Sequence, residues 1–280
     1  MNYREYRPCE RTASILACIW TLEGHAREIA EPQPVLPDGC TEIIVHFGDP
    51  FQRVRLDGRA TQAELIFAGQ LTEQLTLAAT GVVAVLGIRF RPDGLAALFR
   101  QPLHELTGVV TDLQSVDPQA YRALLRIRES AASMADAAAR AREWVAARAD
   151  RARIDPRVAS AVAAIEGSGG QLPIGAVLRT CGTSARQLER LFDAGVGLSP
   201  KRFARVTRFQ RALALLEQVE RRGPTAAAAF DCGYADQAHF IRDFKALAGY
   251  PPGAHLVRRT ELTGLFVSGR ARTGNVRGRG

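Results

Sequence analysis

A segment in the second half of this chain occurs twice, fifty-two residues apart, and that repeat restricts the fold more than any other feature. Laying Ser184 to Phe192 on Asp236 to Phe244 places Arg190 on Arg242, Phe192 on Phe244, Ala194 on Ala246, Gly197 on Gly249 and Pro200 on Pro252. Upstream, Cys181-Gly182 and Cys232-Gly233 correspond with a slip of one residue. A short helix entered through a Gly-containing turn and carrying an outward Arg, present twice, predicts two helix-turn-helix units.

Charge separates the chain into two parts. Residues 151–280 hold 21 Lys and Arg against 10 Asp and Glu, whereas residues 1–150 hold 16 against 19, for a formal net charge of +8. The basic excess therefore lies on the half with the repeat, as expected of a polyanion-binding module joined to one that binds something else. The five cysteines are odd in number, without close pairs or zinc-finger spacing, which fits a reducing compartment. No apolar run approaches the roughly 18 residues of a membrane span, and the N-terminus leads into no signal-peptide core, so a cytoplasmic protein without a membrane partner is expected.

Helical signals run through the basic half. Asp155-Pro156 sets a capping residue before a proline at the first helical position, with Val158, Val162 and Ile165 at helical spacing until Gly167-Ser-Gly-Gly170. A second helix follows over Leu172 to Thr180, then a turn at Gly182, which can take the left-handed conformation. The next helix opens with Ser184-Ala-Arg-Gln187, a capping box. Its apolar stripe, Leu188, Leu191 and Phe192, leaves Arg186, Gln187, Glu189 and Arg190 facing outward. In the second copy Asp236 is the cap, Phe240 and Phe244 face inward, and Gln237, His239 and Arg242 point out. Arg matches the two acceptors of guanine and Gln the donor and acceptor of adenine, so these residue types suit base edges; a solvated helix face is the plainer alternative. Between the copies, a helix from Ser199-Pro200 to about Arg221 spans about 30 Å, close to one turn of DNA, and could hold both units on one face of a duplex.

With these residues in order, the stretch from Asp155 to Leu262 resembles the AraC/XylS family of bacterial transcription regulators. The resemblance rests on Gly233-Tyr234, Asp236 to Lys245 with its outward Arg242, and Gly249-Tyr-Pro-Pro252 in the second unit. Leu188-Glu-Arg-Leu-Phe192, Gly197-Leu-Ser-Pro200, Arg208, Ala212 and Leu215-Leu216 carry it in the first unit and linking helix. It implies Arg186, Gln187, Arg190, Gln237, His239 and Arg242 as base readers. Ser184, Lys201, Arg202, Arg205, Arg208, Asp236 and Arg258, with Arg259, are the expected phosphate contacts. Two departures stand out: Phe203 where the family usually has Tyr, and the small-sided Ala226 to Phe230 before the second turn. The tail from Gly269 has no apolar pattern and is expected to be disordered.

Residues 1 to about 110 read as short strands: Ile15 to Leu22, Thr41 to Phe47, Leu65 to Ala68, Leu75 to Ala79 and Val82 to Phe90, broken at Pro37-Asp-Gly39, Gly48-Asp-Pro50, Asp57-Gly58 and Pro92-Asp-Gly94. A small β-barrel or sandwich follows. Segments Pro37 to Ile44 and Leu86 to Pro92 resemble a poorly characterised domain found ahead of AraC-type DNA-binding domains, which implies a sensory or interaction role. Alternation puts Cys40, Glu42, Ile44 and His46 on one strand face. A metal there lacks a completing ligand set, so the expectation is a half-exposed barrel face, with Arg89 and Arg91 on the outer surface and an anion-binding role as the alternative. Residues 94–150 turn helical, and the stripe Met134, Ala138, Ala141, Trp144, Val145 and Arg148 is either a dimer seam or docks onto the barrel.

The expected fold class is α+β: a β-rich N-terminal sensory domain (1–112), a helical linker with a dimerisation option (113–154), an all-α double helix-turn-helix domain (155–262) and a basic tail (263–280). The expected function is a sequence-specific transcription regulator. Its partners are a double-stranded DNA operator, RNA polymerase, an unidentified small-molecule or protein effector, and in one arrangement a second copy in a homodimer. No metal, cofactor or catalytic residue is implied. The alternatives are a DNA-targeted enzyme with a catalytic N-terminal barrel, which would need a reactive thiol at Cys9, Cys18 or Cys40, and a nonspecific architectural DNA binder.

Overall fold

The computed structural model describes residues 1–29, 32–99, 101–149, 152–222, 232–234 and 236–258, and no helix among them is long and apolar enough to cross a membrane. The N-terminal part is built on β2 (Leu16–His25) and β9 (Val82–Phe90), two long antiparallel strands paired from Leu16↔Phe90 to His25↔Val82 with an irregularity between Leu16 and Cys18. Around them β1 (Asn2–Tyr6), β4 (Glu42–His46), β7 (Leu65–Ala68) and β10 (Val110–Asp112) complete a six-stranded sheet, order β1-β2-β9-β4-β7-β10. A second sheet of four, β3-β8-β5-β6, comprises β3 (Gln33–Val35), β5 (Gln52–Arg55), β6 (Gly58–Thr61) and β8 (Leu75–Ala78). The sheets are separate, so the N-terminal part is a β-rich two-sheet structure and no closed barrel.

Both faces of the large sheet are covered, and the strand sequences say so. Along β9 the even positions Leu86, Ile88 and Phe90 join Ile43, Val45 and Phe67 in one core, while Val83 and Val85 join Trp20, Leu22, Ile44 and Phe51 in another. The run Val83 to Ile88, without a polar side chain, has two covered faces, unlike the alternating run of a half-solvated strand. The expectation of a half-exposed face behind Cys40, Glu42, Ile44 and His46 is therefore corrected: the alternation is as read, but that face is interior, with His46 only 1% exposed.

The first core is closed by α1 (Leu113–Val116), α2 (Pro118–Ser130) and α3 (Met134–Ala149). Asp117 caps α2 by accepting from the amides of Gln119 and Ala120, with Pro118 at its start. Ala137, Ala138, Ala141, Trp144 and Val145 of α3 are buried against the sheet. Of the two options for this stripe, docking within the chain is the one found. Small residues let the helix approach closely, and the Arg148 guanidinium lies 4.2 Å over the Trp144 ring.

The C-terminal part is helical: α4 (Pro156–Gly167), α5 (Ile174–Cys181), α6 (Ala185–Gly195), α7 (Pro200–Arg222), α8 (Gln237–Ala248) and α9 (Pro252–Arg258). Asp155 accepts from the Arg157 amide at 2.9 Å, the cap expected of Asp155-Pro156. Gly182 and Gly233 take φ of +60° and +73°, the left-handed turns that the repeat calls for. The two units share one core, in which Phe192 meets Phe203, and Phe209 meets Phe244 edge-on at 5.1 Å. Phe203 is fully buried, so the ring expected to be a tyrosine in the family packs here without a polar atom to satisfy. Residues Ala226 to Phe230 and the tail from Gly269 lie outside the described residues.

Candidate nucleic-acid interface and a buried N-terminal cavity

The helices that close each turn, α6 and α8, present the same positions to solvent. On α6 the exposed residues include Ala185, Arg186, Glu189, Arg190 and Asp193; fifty-two residues on, α8 exposes Gln237, Ala238, Ile241, Arg242 and Lys245. The pattern i, i+1, i+4, i+5, i+8 is one stripe on each helix. Ser184 caps α6 by accepting from the Gln187 amide at 3.3 Å, and Asp236 caps α8 by accepting from the His239 amide at 2.7 Å.

Four of the six expected base readers, Arg186, Arg190, Gln237 and Arg242, lie on these stripes. Gln187 and His239, equivalent in the repeat, are half-buried and engaged locally. The Gln187 Oε1 accepts from Thr183 Oγ1 at 3.0 Å, which replaces the reciprocal half of the expected capping box. The His239 ring lies edge-on to Tyr234 at 5.4 Å and 3.7 Å from the Asp243 carboxylate one turn on. Sequence reasoning passed over Ile241, which is 39% exposed beside Arg242, and Lys245. The repeat register itself held that signal: Ile241 falls on the outward Glu189, where an apolar residue has no core to face. An exposed isoleucine there is suited to a thymine methyl.

The expected phosphate contacts divide similarly. Lys201 and Arg202 are exposed on the first turn of α7, where the Ser199 hydroxyl caps the Arg202 amide at 3.3 Å. Arg205 pairs with Asp243 of α8 at 3.0 Å, and Arg208 donates to the Gly170 carbonyl at 3.3 Å with its guanidinium 5.4 Å from the Tyr234 ring centre. These two arginines hold α7 against its neighbours. Ser184 and Asp236 are the helix caps, and Arg258 ends α9.

The N-terminal part borders the first of these helices. An open groove of about 710 Å³ lies over the outer face of α6, between Arg186, Glu189, Arg190 and Asp193 on one side and Pro102 and His104 on the other. Just behind it the Thr107 hydroxyl donates to the Gly197 carbonyl after α6.

Inside the N-terminal part a cavity of about 80 Å³ lies between the two sheets. At one end Arg89 is buried, against the expectation of an outward position. Its Nε is 2.5 Å from Glu42 Oε1, which also accepts from Trp20 Nε1 at 3.2 Å, and its Nη2 is 3.4 Å from Asp38 Oδ2. Burial pushes the Glu42 carboxyl up, opposed by Arg89 and reinforced by Asp38. Gly87 makes this arrangement fit: it pairs with Trp20 across the strands, and a Cβ there would stand 2.0 Å from the indole. Farther along β4 the His46 imidazole makes no hydrogen bond of good geometry on either nitrogen, with the Gln62 side chain its polar neighbour in the cavity. Burial pushes its pKa down to about 4, with Arg128 acting the same way and Gln62 opposing. Arg91, by contrast, is half-exposed near Asp93 and Glu166. Among the described residues no group of three or more His, Cys, Asp or Glu is placed to hold a metal ion. Of the candidate thiols, Cys18 is buried and pushed up by desolvation, Cys40 is buried, and Cys9 is exposed and lowered by its contact with Thr12.

One loop touches both parts. Leu36 lines the cavity and packs into the helical core, the Pro37 carbonyl accepts from Gln210 Nε2 of α7 at 2.5 Å, and Asp38 pairs with Arg89.

Residues 177–258 match a family model described as a helix-turn-helix domain, and residues 4–112 match a domain of unknown function, DUF6597. No curated protein matches the chain. Among solved structures, ToxT from Vibrio cholerae is 10% identical, with 86% of this chain and 98% of that one covered at a TM-score of 0.46. Unsaturated fatty acid bound ToxT from Vibrio cholerae strain SCE256 is 10% identical, with 87% and 94% covered at a TM-score of 0.45.

Proposed function

We propose that this chain is a DNA-binding transcription regulator of the AraC type that reads sequence with the outer stripes of α6 and α8 under control of a signal received by the N-terminal part, a reading supported by the match of residues 177–258 to a helix-turn-helix family model. One observation carries the reading: two helices fifty-two residues apart expose the same positions, with Arg190 and Arg242 equivalent on the two stripes. A shared core fixes the two stripes relative to each other, and α7, at 23 residues, is about 34 Å long, close to one turn of duplex. Arg186, Arg190, Gln237 and Arg242 are the base readers in this proposal, Gln187 and His239 stand at the stripe edges, and Lys201 and Arg202 contact phosphate.

Control follows from the borders of the DNA-facing surface. A duplex on α6 fills the groove that Pro102 and His104 flank, so a shift of the N-terminal part changes how that helix docks. The loop Leu36-Pro37-Asp38 supplies the route, because it is wall to the cavity and hydrogen-bond partner to α7. In this reading RNA polymerase is the further protein partner, the protein acts in the cytoplasm, and no catalytic step is needed. The enzyme alternative needs a thiolate in the N-terminal part: burial moves Cys18 away from one, and Cys9, whose pKa is lowered by Thr12, is exposed and outside the cavity lining.

Selection of bound sequences from a random DNA pool at near-physiological salt tests the proposal. Two enriched blocks about one helical turn apart are expected, and a pool that shows no enrichment overturns it.

A further inference from the structure

Among the described residues the charged side chains that line the N-terminal cavity do not balance, and this points to what the cavity takes. Asp38 and Glu42 bring two carboxylates to one guanidinium, Arg89, and all three side chains are less than a fifth exposed. A buried carboxylate without a full counter-charge is costly, and a cationic group beside it removes that cost. Apart from His46 and the neighbouring Gln62, the remaining walls are mostly apolar, with Leu22, Ile44, Phe51, Ile66 and Val85 among them.

A second, independent observation comes from the other end. His46 faces the same cavity, is 1% exposed, and makes no hydrogen bond of good geometry on either ring nitrogen, although the Gln62 side chain beside it is near enough to favour its charged form. Buried polar side chains are nearly always hydrogen-bonded, so an imidazole that lacks such a bond and lines a cavity marks a place for a ligand atom. Glu42 and His46 are four residues apart on β4, about 13 Å along the strand, with Ile44 between them on the same face. The cavity thus has an acidic end, an apolar middle and a neutral hydrogen-bonding end.

We propose that this cavity binds a short organic cation, with its ammonium at Asp38 and Glu42, its aliphatic stem on Ile44 and a donor at its far end bonded to His46. Size sets the class further. At about 80 Å³ the space is about half the ~150 Å³ that holds benzene in an engineered cavity, so the ligand is a short-chain amine, amino alcohol or diamine and no bulky ring system. Carboxylates of the same length are excluded, since they would bring a third negative charge to the Asp38–Glu42 end. This inference rests on the reading of the N-terminal part as the signal-receiving half.

The test is calorimetric titration of the full-length protein with butylamine, 4-amino-1-butanol, 1,4-diaminobutane, butanol and butanoate, with the fluorescence of Trp20 at the acidic end as a second readout. The amines should bind at least about tenfold tighter than butanoate and butanol. The two probes with a far-end donor should exceed butylamine, and His46→Leu should erase that excess while leaving butylamine unaffected. Asp38→Asn, which keeps the side-chain bond to the Cys40 amide within reach, should weaken every amine; it is the companion to Glu42→Gln should that variant fail to fold. Butanoate binding as tightly as butylamine, no saturable binding of any amine, or amine binding indifferent to Asp38→Asn would each overturn the proposal. DNA affinity, measured separately with and without 1,4-diaminobutane, keeps the two claims apart. Amine binding that leaves DNA affinity unchanged refutes the sensory reading alone, and sequence-specific DNA binding without amine binding refutes this inference alone.

Discussion

Gln210 donates from Nε2 to the carbonyl of Pro37 across 173 positions of sequence, and both groups are buried. The bond joins α7, the helix between α6 and α8, to the loop that walls the N-terminal cavity. Replacing Gln210 with Leu keeps the bulk and leaves the Pro37 carbonyl without its donor. The expected cost is about 1–3 kcal/mol, the desolvation penalty of an unpaired buried acceptor. Urea unfolding of the variant would measure it, and an unchanged midpoint would show that the contact contributes nothing.

Arg190 and Arg242 should contribute specificity, whereas Lys201 should contribute affinity. Either Arg→Ala change is expected to cost about 1–3 kcal/mol on the preferred sequence and to relax selection at the positions that it reads. Lys201→Ala should weaken all sequences alike and lower the salt slope by about one. Binding titrations on preferred and scrambled duplexes at several salt concentrations separate the two behaviours. An Arg190→Ala variant with intact sequence preference would remove α6 from the reading.

Gln187 gives a sharper contrast. Its amide oxygen is occupied by Thr183, so Gln187→Ala should alter discrimination far less than Arg190→Ala. If the two variants lose equal discrimination in the same titrations, Gln187 leaves Thr183 on binding and the static contact is a poor guide.

His46 makes stability depend on pH. Its pKa of about 4 lies below the ordinary 6.5, so as pH falls the unfolded chain takes up a proton before the native one does. The contribution is complete above about pH 6.5, declines from there to about pH 4, and amounts to about 3 kcal/mol. His46→Leu removes it. Urea midpoints at pH 7.5 and 4.5 should therefore converge in the variant relative to the parent, and an identical pH dependence in both proteins would contradict the buried neutral imidazole.

Gly87→Ala probes the seat of Trp20. The added Cβ would stand 2.0 Å from the indole, so the ring must move and its bond to Glu42 must break. A loss of about 1–3 kcal/mol with a shifted tryptophan emission is expected. Wild-type emission and stability would mean that the sheet yields instead.

The C-terminal part was legible because its information is local. Capping residues, Gly at the turns and an apolar i, i+3, i+4 stripe settle which side of a short helix faces inward, so Arg190 and Arg242 could be placed outward from the repeat alone. Gln187 and His239 stand at the edge of the stripes, half-buried, and their engagement by Thr183, Tyr234 and Asp243 depends on side-chain reach that spacing does not encode. In the N-terminal part the alternation of β4 was correctly read, but which medium each face meets was not. A strand pattern gives two faces, and only a second layer decides whether one of them is wet.

By itself, then, the sequence determined two equivalent capped helices, α6 and α8, each preceded by a left-handed glycine, and the strands of a β-rich partner, since each of these follows from residues within a few positions of one another. The tertiary structure decided that Arg89 is an interior cation facing two carboxylates, that His46 is buried without a hydrogen bond of good geometry, and that Pro37 is bonded to Gln210. These depend on residues from 47 to 173 positions apart meeting in a medium of low dielectric constant, where a charge or an amide is held only by the partner that the fold brings to it.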